Sequence, residues 1–371
     1  MRYLLSLFLI MTSFVVSAQD SGVAYEVSLG VDFESYFDNR EYAKTSGESG
    51  SDLAARLMPT LSWQFSRSES LTVGVDWVVP FGSVGSSTED GVKSESYYYD
   101  IKSLIYYTLN AGRWRVVTGM FSMAQMSMES YGEAFFSSEY RFYSRVMSGL
   151  LGAYRNGESF FEMACDWMGQ PSTSTRERFV VYSAGCHQFG DFVLGYNLSM
   201  MHFAGQKVSG LDNVVDNGLV APYIGYGHRF DGGLLFDLRV GYLQSLQQDR
   251  RYEDGWQTPA MWEFGFGVSR WGFTIENQLY LGDNLQPLYD GHTLDDGTVV
   301  TYGDMLYFGA QDFRTDGGYY NRSALSYDRV FGGGRVRLRG QLVFHTNAEG
   351  VANQQILELS VKLGKIVYKG K

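Results

Sequence analysis

The chain has 371 residues, with 30 Lys and Arg against 41 Asp and Glu, 44 Gly, 27 Tyr, 25 Phe and only 6 Pro. The formal charge of −11 excludes a basic nucleic-acid footprint. Beyond the N-terminus no long apolar stretch occurs, which excludes a helical membrane protein.

Met1-Arg2-Tyr3 leads into an apolar run from Leu4 to Val16, followed by Ser17-Ala18. A short positive start, an apolar core and small residues at −3 and −1 (Val16 and Ala18) read as a signal peptide over 1–18, cleaved after Ala18. The run is too short for a span, which needs roughly 20 residues. Cleavage leaves a net charge of −12. No Cys follows the cleavage point, so a lipid-anchored mature end is not expected.

From residue 25 onwards the dominant signal has period two. Tyr25, Val27, Leu29, Val31 and Phe33 alternate with Glu26, Ser28, Gly30, Asp32 and Glu34. A strand separates the two sets onto two faces, whereas a helix mixes them. The same separation recurs over 56–65, 71–77, 100–109, 236–242, 262–268, 336–344 and 357–363. In 262–268, Trp262, Phe264, Phe266 and Val268 oppose Glu263, Gly265 and Gly267. Strands of about 9–14 residues cross a bilayer at a tilt.

The connections alternate in length. Short Gly-, Asn- or Asp-bearing turns fall at 66–69, 110–113, 155–158, 188–191, 231–233, 270–272 and 332–334, where tight hairpins need positive φ. Longer polar loops fall at about 38–53, 80–97, 121–138, 169–175, 204–217, 246–258, 284–318 and 346–354. Seven turns and eight loops give sixteen strands with both ends on the short-turn side. This predicts an all-β, antiparallel transmembrane β-barrel over 19–371, with a long extracellular loop at 284–318. If 302–314 crosses the wall with a partner, the count becomes eighteen. Cys165 and Cys186 fall on successive strands, on opposite faces, and are expected to stay unpaired.

Leader, even strand count, alternating loop lengths and an amphipathic last strand together resemble the Gram-negative outer-membrane porins. The resemblance is architectural and covers nearly the whole mature chain. It implies a Gram-negative outer-membrane location and a passive channel for small hydrophilic solutes or ions. The implied partners are outer-membrane lipids, lipopolysaccharide, the barrel-assembly machinery and small solutes. The oligomeric state is left open, a trimer among the options. One departure is the C-terminus, where Tyr368 is followed by Lys369-Gly370-Lys371 instead of ending the chain.

With the apolar set facing lipid, the other set lines the lumen. The candidate pore-lining residues are Lys102, Arg115, Arg141, Arg145, Arg178, Arg239, Glu263, Glu276, Arg337 and Arg339. Walls of charge in a low-dielectric tube select ions, while pairing of Arg with acids on adjacent strands is the plain structural alternative. Arg141-x-Tyr143-x-Arg145 is expected to project two arginines from one strand, with Glu263 and Glu276 on opposite walls. Loop 284–318 carries Leu288, Tyr289, Met305, Leu306, Tyr307 and Phe308, and is expected to fold inward over the pore.

The chain has five histidines, His187, His202, His228, His292 and His345. A Ser–His hydrolase needs the two within hydrogen-bond reach. None stands two residues from a Ser on one strand face, which leaves His202 near Ser199 and His345 near Ser323 dependent on fold contacts. Asp290, Asp295, Asp296 and Asp304 lack EF-hand spacing. Met120, Met123, Met126 and Met128 read as loop packing rather than soft-metal ligands. The expectation is therefore no enzyme, no cofactor and no metal. A closed structural or binding barrel is the second reading, and a lipid-modifying outer-membrane enzyme the third.

Overall fold

The computed structural model describes residues 26–42, 47–81, 101–173, 175–204, 214–251, 255–289, 292–293, 297, 299–300, 302–314 and 317–369. The expected leader at 1–18, most of the expected loop at 80–97, and Asp290, Asp295 and Asp296 lie outside them.

Sixteen strands form one closed barrel. They are β1 (Glu26–Glu41), β2 (Gly50–Gln64), β3 (Glu69–Pro80), β4 (Ile101–Ala111), β5 (Trp114–Ser122), β6 (Val146–Asn156), β7 (Ser159–Gly169) and β8 (Arg178–Phe189). The second half comprises β9 (Phe192–Phe203), β10 (Val215–Arg229), β11 (Leu235–Asp249), β12 (Ala260–Arg270), β13 (Phe273–Gly282), β14 (Tyr319–Phe331), β15 (Val336–Asn347) and β16 (Gly350–Lys369). Every strand pairs antiparallel with its chain neighbours, and β1 closes on β16 from Glu26↔Lys369 to Glu41↔Asn353. The segment 302–314 contributes two 3₁₀ turns and no wall strand, so the count is sixteen and not eighteen. Among the described residues, no helix is long and apolar enough to cross a membrane.

The faces follow the alternation. On β12, Trp262, Phe264 and Phe266 are 53, 42 and 44% exposed, whereas Glu263 between them is 4% exposed. Apolar outside and polar inside is the arrangement of a membrane barrel. At the short-turn end a belt of rings runs across the outer face. His187, Phe189, Phe192, Tyr226, His228 and Phe230 follow one another at centroid spacings of 4.7–6.5 Å. Such aromatic girdles mark the membrane–water boundary. Cys165 lies opposite Val181 and Cys186 opposite Phe160, and neither is disulfide-bonded.

Two connections at the other end fold into the barrel. The described residues of 283–289 and 302–314 behave as expected for an inward loop: Leu285, Leu288, Tyr302, Leu306, Tyr307 and Phe313 are buried against Leu243, Met261, Tyr280 and Tyr320 of the wall. The connection 123–145 does the same, which alternation alone did not suggest. Its Met123, Met126, Tyr131, Phe135 and Phe136 pack on Leu151, Tyr182 and Met201. The expected strand ladder of Arg141 and Arg145 is corrected here. Ser137 caps a short helix, α1 (Ser138–Tyr143), its hydroxyl accepting from the Tyr140 amide at 3.1 Å. An N-cap serine followed by Glu139 in the first turn favours helix over strand. The two inward segments bind each other through Ser137 N–H to the Phe308 carbonyl at 2.7 Å and Ala310 N–H to the Glu133 carbonyl at 2.8 Å. Gly309 permits this approach, because a Cβ there would sit 2.2 Å from the Ala134 carbonyl oxygen.

Asp312 anchors the longer segment inside the barrel. It faces Tyr42 Oη at 3.1 Å and His345 Nδ1 at 3.4 Å, and Tyr320 Oη lies 2.8 Å from the same nitrogen. Burial pushes the Asp312 carboxyl above its usual range, with His345 and Tyr42 opposing the shift and Glu133 adding to it. A pKa raised in the docked state means that the docked state binds the proton more tightly. Docking therefore gains as pH falls through the raised value towards the ordinary carboxylate value of about 3.9, and the gain is lost as pH rises. Hydrogen exchange over 302–314, corrected for its intrinsic pH dependence, is expected to slow on acidification. Asp312→Asn is expected to abolish that dependence.

Candidate active site

Within the lumen, a cavity of about 290 Å³ lies between the inward segment 123–145 and the wall. Six of the ten predicted pore residues line it: Arg141, Arg239, Glu263, Glu276, Arg337 and Arg339. The charges are mostly matched along the wall. Arg239 donates to Glu263 at 3.1 Å, Arg322 to Glu276 at 2.7 Å, and Arg337 to Asp328 at 2.9 Å, while Arg339 lies 3.5 Å from Glu358. Glu263 and Glu276 are thus each paired with an arginine of an adjacent strand, and they line the same cavity as Arg141. Arg141 is spent on the carbonyls of Phe136, Met128 and Tyr131 inside its own loop.

The other four lie away from the cavity. Lys102 stands opposite Asp76, Arg115 reaches the Gln125 carbonyl at 3.5 Å, Arg145 pairs with Glu34, and Arg178 reaches the Met305 carbonyl at 3.4 Å. Glu129 and Glu133 also line the cavity. Neither stands out in the sequence, since both sit in a connection without periodicity.

Of the histidines, His292 has no described side chain. The Ser199–His202 and Ser323–His345 contacts do not form. Ser199 is opposite Tyr182 and faces inward, while His202 is opposite Phe179 and faces outward. Ser323 is opposite Phe344 and faces outward, while His345 is opposite Arg322 and faces inward. A Ser–His contact does occur between Ser159 Oγ and His187 Nδ1, at 3.3 Å, and His228 meets Asp191 at 2.8 Å. Both lie at the short-turn end.

A third arrangement differs in place and in partners. At the long-loop end of the outer face, a continuous band runs from β7 to Arg250, the residue that follows β11. Trp167 stacks on Phe179 at 5.2 Å, and Phe179 lies 5.1 Å from the His202 ring. His202 Nδ1 is 2.8 Å from Asp216 Oδ1, with register Phe179↔His202↔Asp216 across three strands. Arg250 donates to Asp216 Oδ2 through Nε at 2.9 Å and a terminal nitrogen at 2.6 Å. The Arg250 amide is tied in turn to the Val214 carbonyl.

This geometry sets the chemistry of His202. The Asp216 side chain is 2% exposed and a carboxylate only accepts, so Nδ1 carries the proton. In the neutral imidazole Nε2 then keeps its lone pair, and it has no hydrogen-bond partner among the described residues. The two-point contact of Arg250 holds the carboxylate charged and fixed. An imidazole oriented by a buried carboxylate is the base half of a hydrolytic site. It lies beside the stacked rings of Trp167 and Phe179.

A sequence profile of the lipid A 3'-O-deacylase type matches residues 17–290. The chain belongs to the lipid A 3'-O-deacylase-type family. The expectation that it is not an enzyme is corrected by that match, because the family is one of deacylases. The matched span holds His202, Asp216 and Arg250, while His345 lies beyond it. No curated protein matches the chain.

Solved structures give the fold. A loop L8 deletion mutant of OmpT, an outer membrane protein of Vibrio cholerae, is similar at TM-score 0.52 and 9% identity, covering 91% of this chain and 99% of that one. Pseudomonas aeruginosa OccD3 (OpdP) is similar at 0.51 and 11%, covering 94% and 93%. Acinetobacter baumannii OccAB2 is similar at 0.51 and 11%, covering 93% and 98%. This member of the deacylase-type family therefore has a porin-like outer-membrane β-barrel fold.

Proposed function

We propose that this protein is an outer-membrane hydrolase that removes an acyl chain from lipid A or a closely related glycolipid. The observation that carries the reading is the outward-facing His202–Asp216–Arg250 arrangement at the long-loop rim. Loops of greater length mark the external side of such barrels, so this rim meets the outer leaflet. The Ser159–His187 pair, at the other end, would meet the inner leaflet. On this reading residues 1–18 are removed on export, and the barrel-assembly machinery inserts the mature chain.

In the reaction, His202 Nε2 takes a proton from water and the resulting hydroxide adds to the ester carbonyl carbon. The tetrahedral adduct collapses with loss of the sugar-linked oxygen, which receives the proton back from His202. The products are a fatty acid and a free hydroxyl on the glycolipid. Asp216 stabilises the imidazolium that exists between these steps. Arg250 is 54% exposed and keeps a terminal nitrogen free of described partners, suited to a substrate carboxyl, phosphate or developing oxyanion. Purified protein in mixed micelles is expected to release fatty acid from lipid A and much less from diacyl phospholipid. Absence of release by the folded barrel contradicts the proposal.

The charge-lined lumen cavity favours a second reading, in which the same barrel also passes small hydrophilic solutes. Shortening 302–314 removes Leu306, Tyr307 and Phe313 from the lumen. In planar bilayers the shortened protein is expected to show larger single-molecule conductance steps than the full chain. Equal conductance from a folded deletion counts against flow through this space.

A further inference from the structure

The lipid-facing belt contains a polar patch that acyl chains cannot satisfy. On β13 and β14, Asn277 is opposite Ser323 and Leu279 opposite Asn321, all on the outward face. Asn277 Nδ2 donates to Asn321 Oδ1 at 3.0 Å and to Ser323 Oγ at 2.8 Å, and Asn321 Nδ2 donates to Ser323 Oγ at 3.2 Å. Asn277 has then used both amide hydrogens, and its Oδ1 accepts nothing among the described residues. Ser323 Oγ accepts two bonds and its own hydrogen remains undonated. Around the patch the wall is apolar and exposed: Phe266, Ile275, Leu281, Leu325 and Phe344 are each at least 40% exposed. Ile275 lies towards one membrane boundary and Leu281 towards the other, so the patch sits inside the hydrocarbon layer.

Hydrocarbon supplies neither donors nor acceptors, so a free acceptor and a free donor there carry a cost. We propose that this patch is the contact face of a homodimer. Two copies in one membrane are related by a two-fold axis along the membrane normal, which makes the interface self-complementary. Asn277 and Ser323 are register partners on adjacent strands and lie at nearly one depth. The axis passing between β13 and β14 brings Ser323 of each copy to Asn277 of the other. The leftover hydroxyl hydrogen meets the leftover amide oxygen, twice. A partner of different sequence would need the converse arrangement at the same depth, whereas a second copy supplies it by symmetry.

The test is disulfide trapping in native membranes. Both natural cysteines are first replaced, giving Cys165→Ser and Cys186→Ser. Leu279→Cys then places a thiol beside the patch, and Val73→Cys, on the outward face of β3, serves as the control. Mild oxidation is expected to convert most of the Leu279→Cys protein to a dimer of twice the chain mass, and little of the control. Adding Asn277→Leu and Ser323→Ala is expected to cut the trapped fraction by about fivefold or more. Heat-modifiable gel mobility confirms that each variant is a folded barrel. A folded Leu279→Cys protein that stays monomeric overturns the proposal, as does trapping to a different polypeptide, or trapping that survives loss of both polar residues.

Discussion

Replacing His202 with Asn is expected to lower glycolipid deacylation by about 10²–10⁴-fold, the range a positioned general base contributes, and to leave the barrel folded. The imidazole projects outward at the end of β9, is only partly covered, and contacts Phe179 and Asp216 without joining the buried core. Asp216→Asn tests orientation. An amide in place of the carboxylate can donate to Nδ1, which favours the tautomer with its proton on Nε2 and so disables the base. The expected loss in kcat is comparable to that of His202→Asn, with KM little changed. Arg250→Gln is expected to be milder on kcat, because Asp216 keeps its bond to His202 while losing its two-point clamp. If His202→Asn retains full rate, the base is elsewhere and the rim site is wrong.

Asp76→Ala is expected to destabilise the barrel by about 3–5 kcal/mol, the usual cost of stranding a buried charge. Arg56 on β2 has a side chain that is 0% exposed, and it donates through Nε to Asp76 Oδ1 on β3 at 2.6 Å and through NH2 to Asp76 Oδ2. Its third nitrogen holds the Phe142 carbonyl at the end of α1. Removing Asp76 leaves the guanidinium in the wall without its counter-charge and loosens the helix that packs Phe142 on Tyr36 at 4.7 Å. The double change Arg56→Met with Asp76→Leu is expected to recover most of the loss, since apolar groups of similar size need no counter-charge. Urea unfolding of the protein in lipid, followed by tryptophan emission, measures both. A single-variant effect below about 1 kcal/mol would show the pair to be solvated.

The wall was legible in the sequence because alternation constrains each strand on its own. Trp262-Glu263-Phe264 needs no distant information to say which side faces lipid, and Gly112, Gly157, Gly190 and Gly332, all at positive φ, mark the turns locally. The inward fold of 123–145 was not legible. Arg141, Tyr143 and Arg145 alternate as a strand would, and the serine cap of the helix that takes up Arg141 and Tyr143 is a single hydroxyl. Apolar content disclosed the long loop, since Leu306, Tyr307 and Phe308 have no place in water.

The rim site was hidden for a different reason. His202 and Asp216 stand on neighbouring strands across a loop, so only the register Asp216↔His202 unites them. Spacing of Ser and His along one strand face carries no trace of a base oriented by a cross-strand carboxylate. One signal was present: His202 falls in the outward set of β9, with Leu198 and Met200, and Asp216 in the outward set of β10, with Val220. Polar groups at apolar-set positions, at the long-loop ends of adjacent strands, point to a site on the lipid face. The lumen charges are numerous in the sequence, but most are matched by a neighbour.

The most direct test of the central claim is mass spectrometry of lipid A extracted from Gram-negative cells that express this protein, the His202→Asn variant, or neither. The account predicts lipid A lighter by one acyl chain with the natural protein, and the unmodified mass in the other two. Lipid A of unchanged mass in cells whose outer membrane contains the folded natural barrel would contradict it.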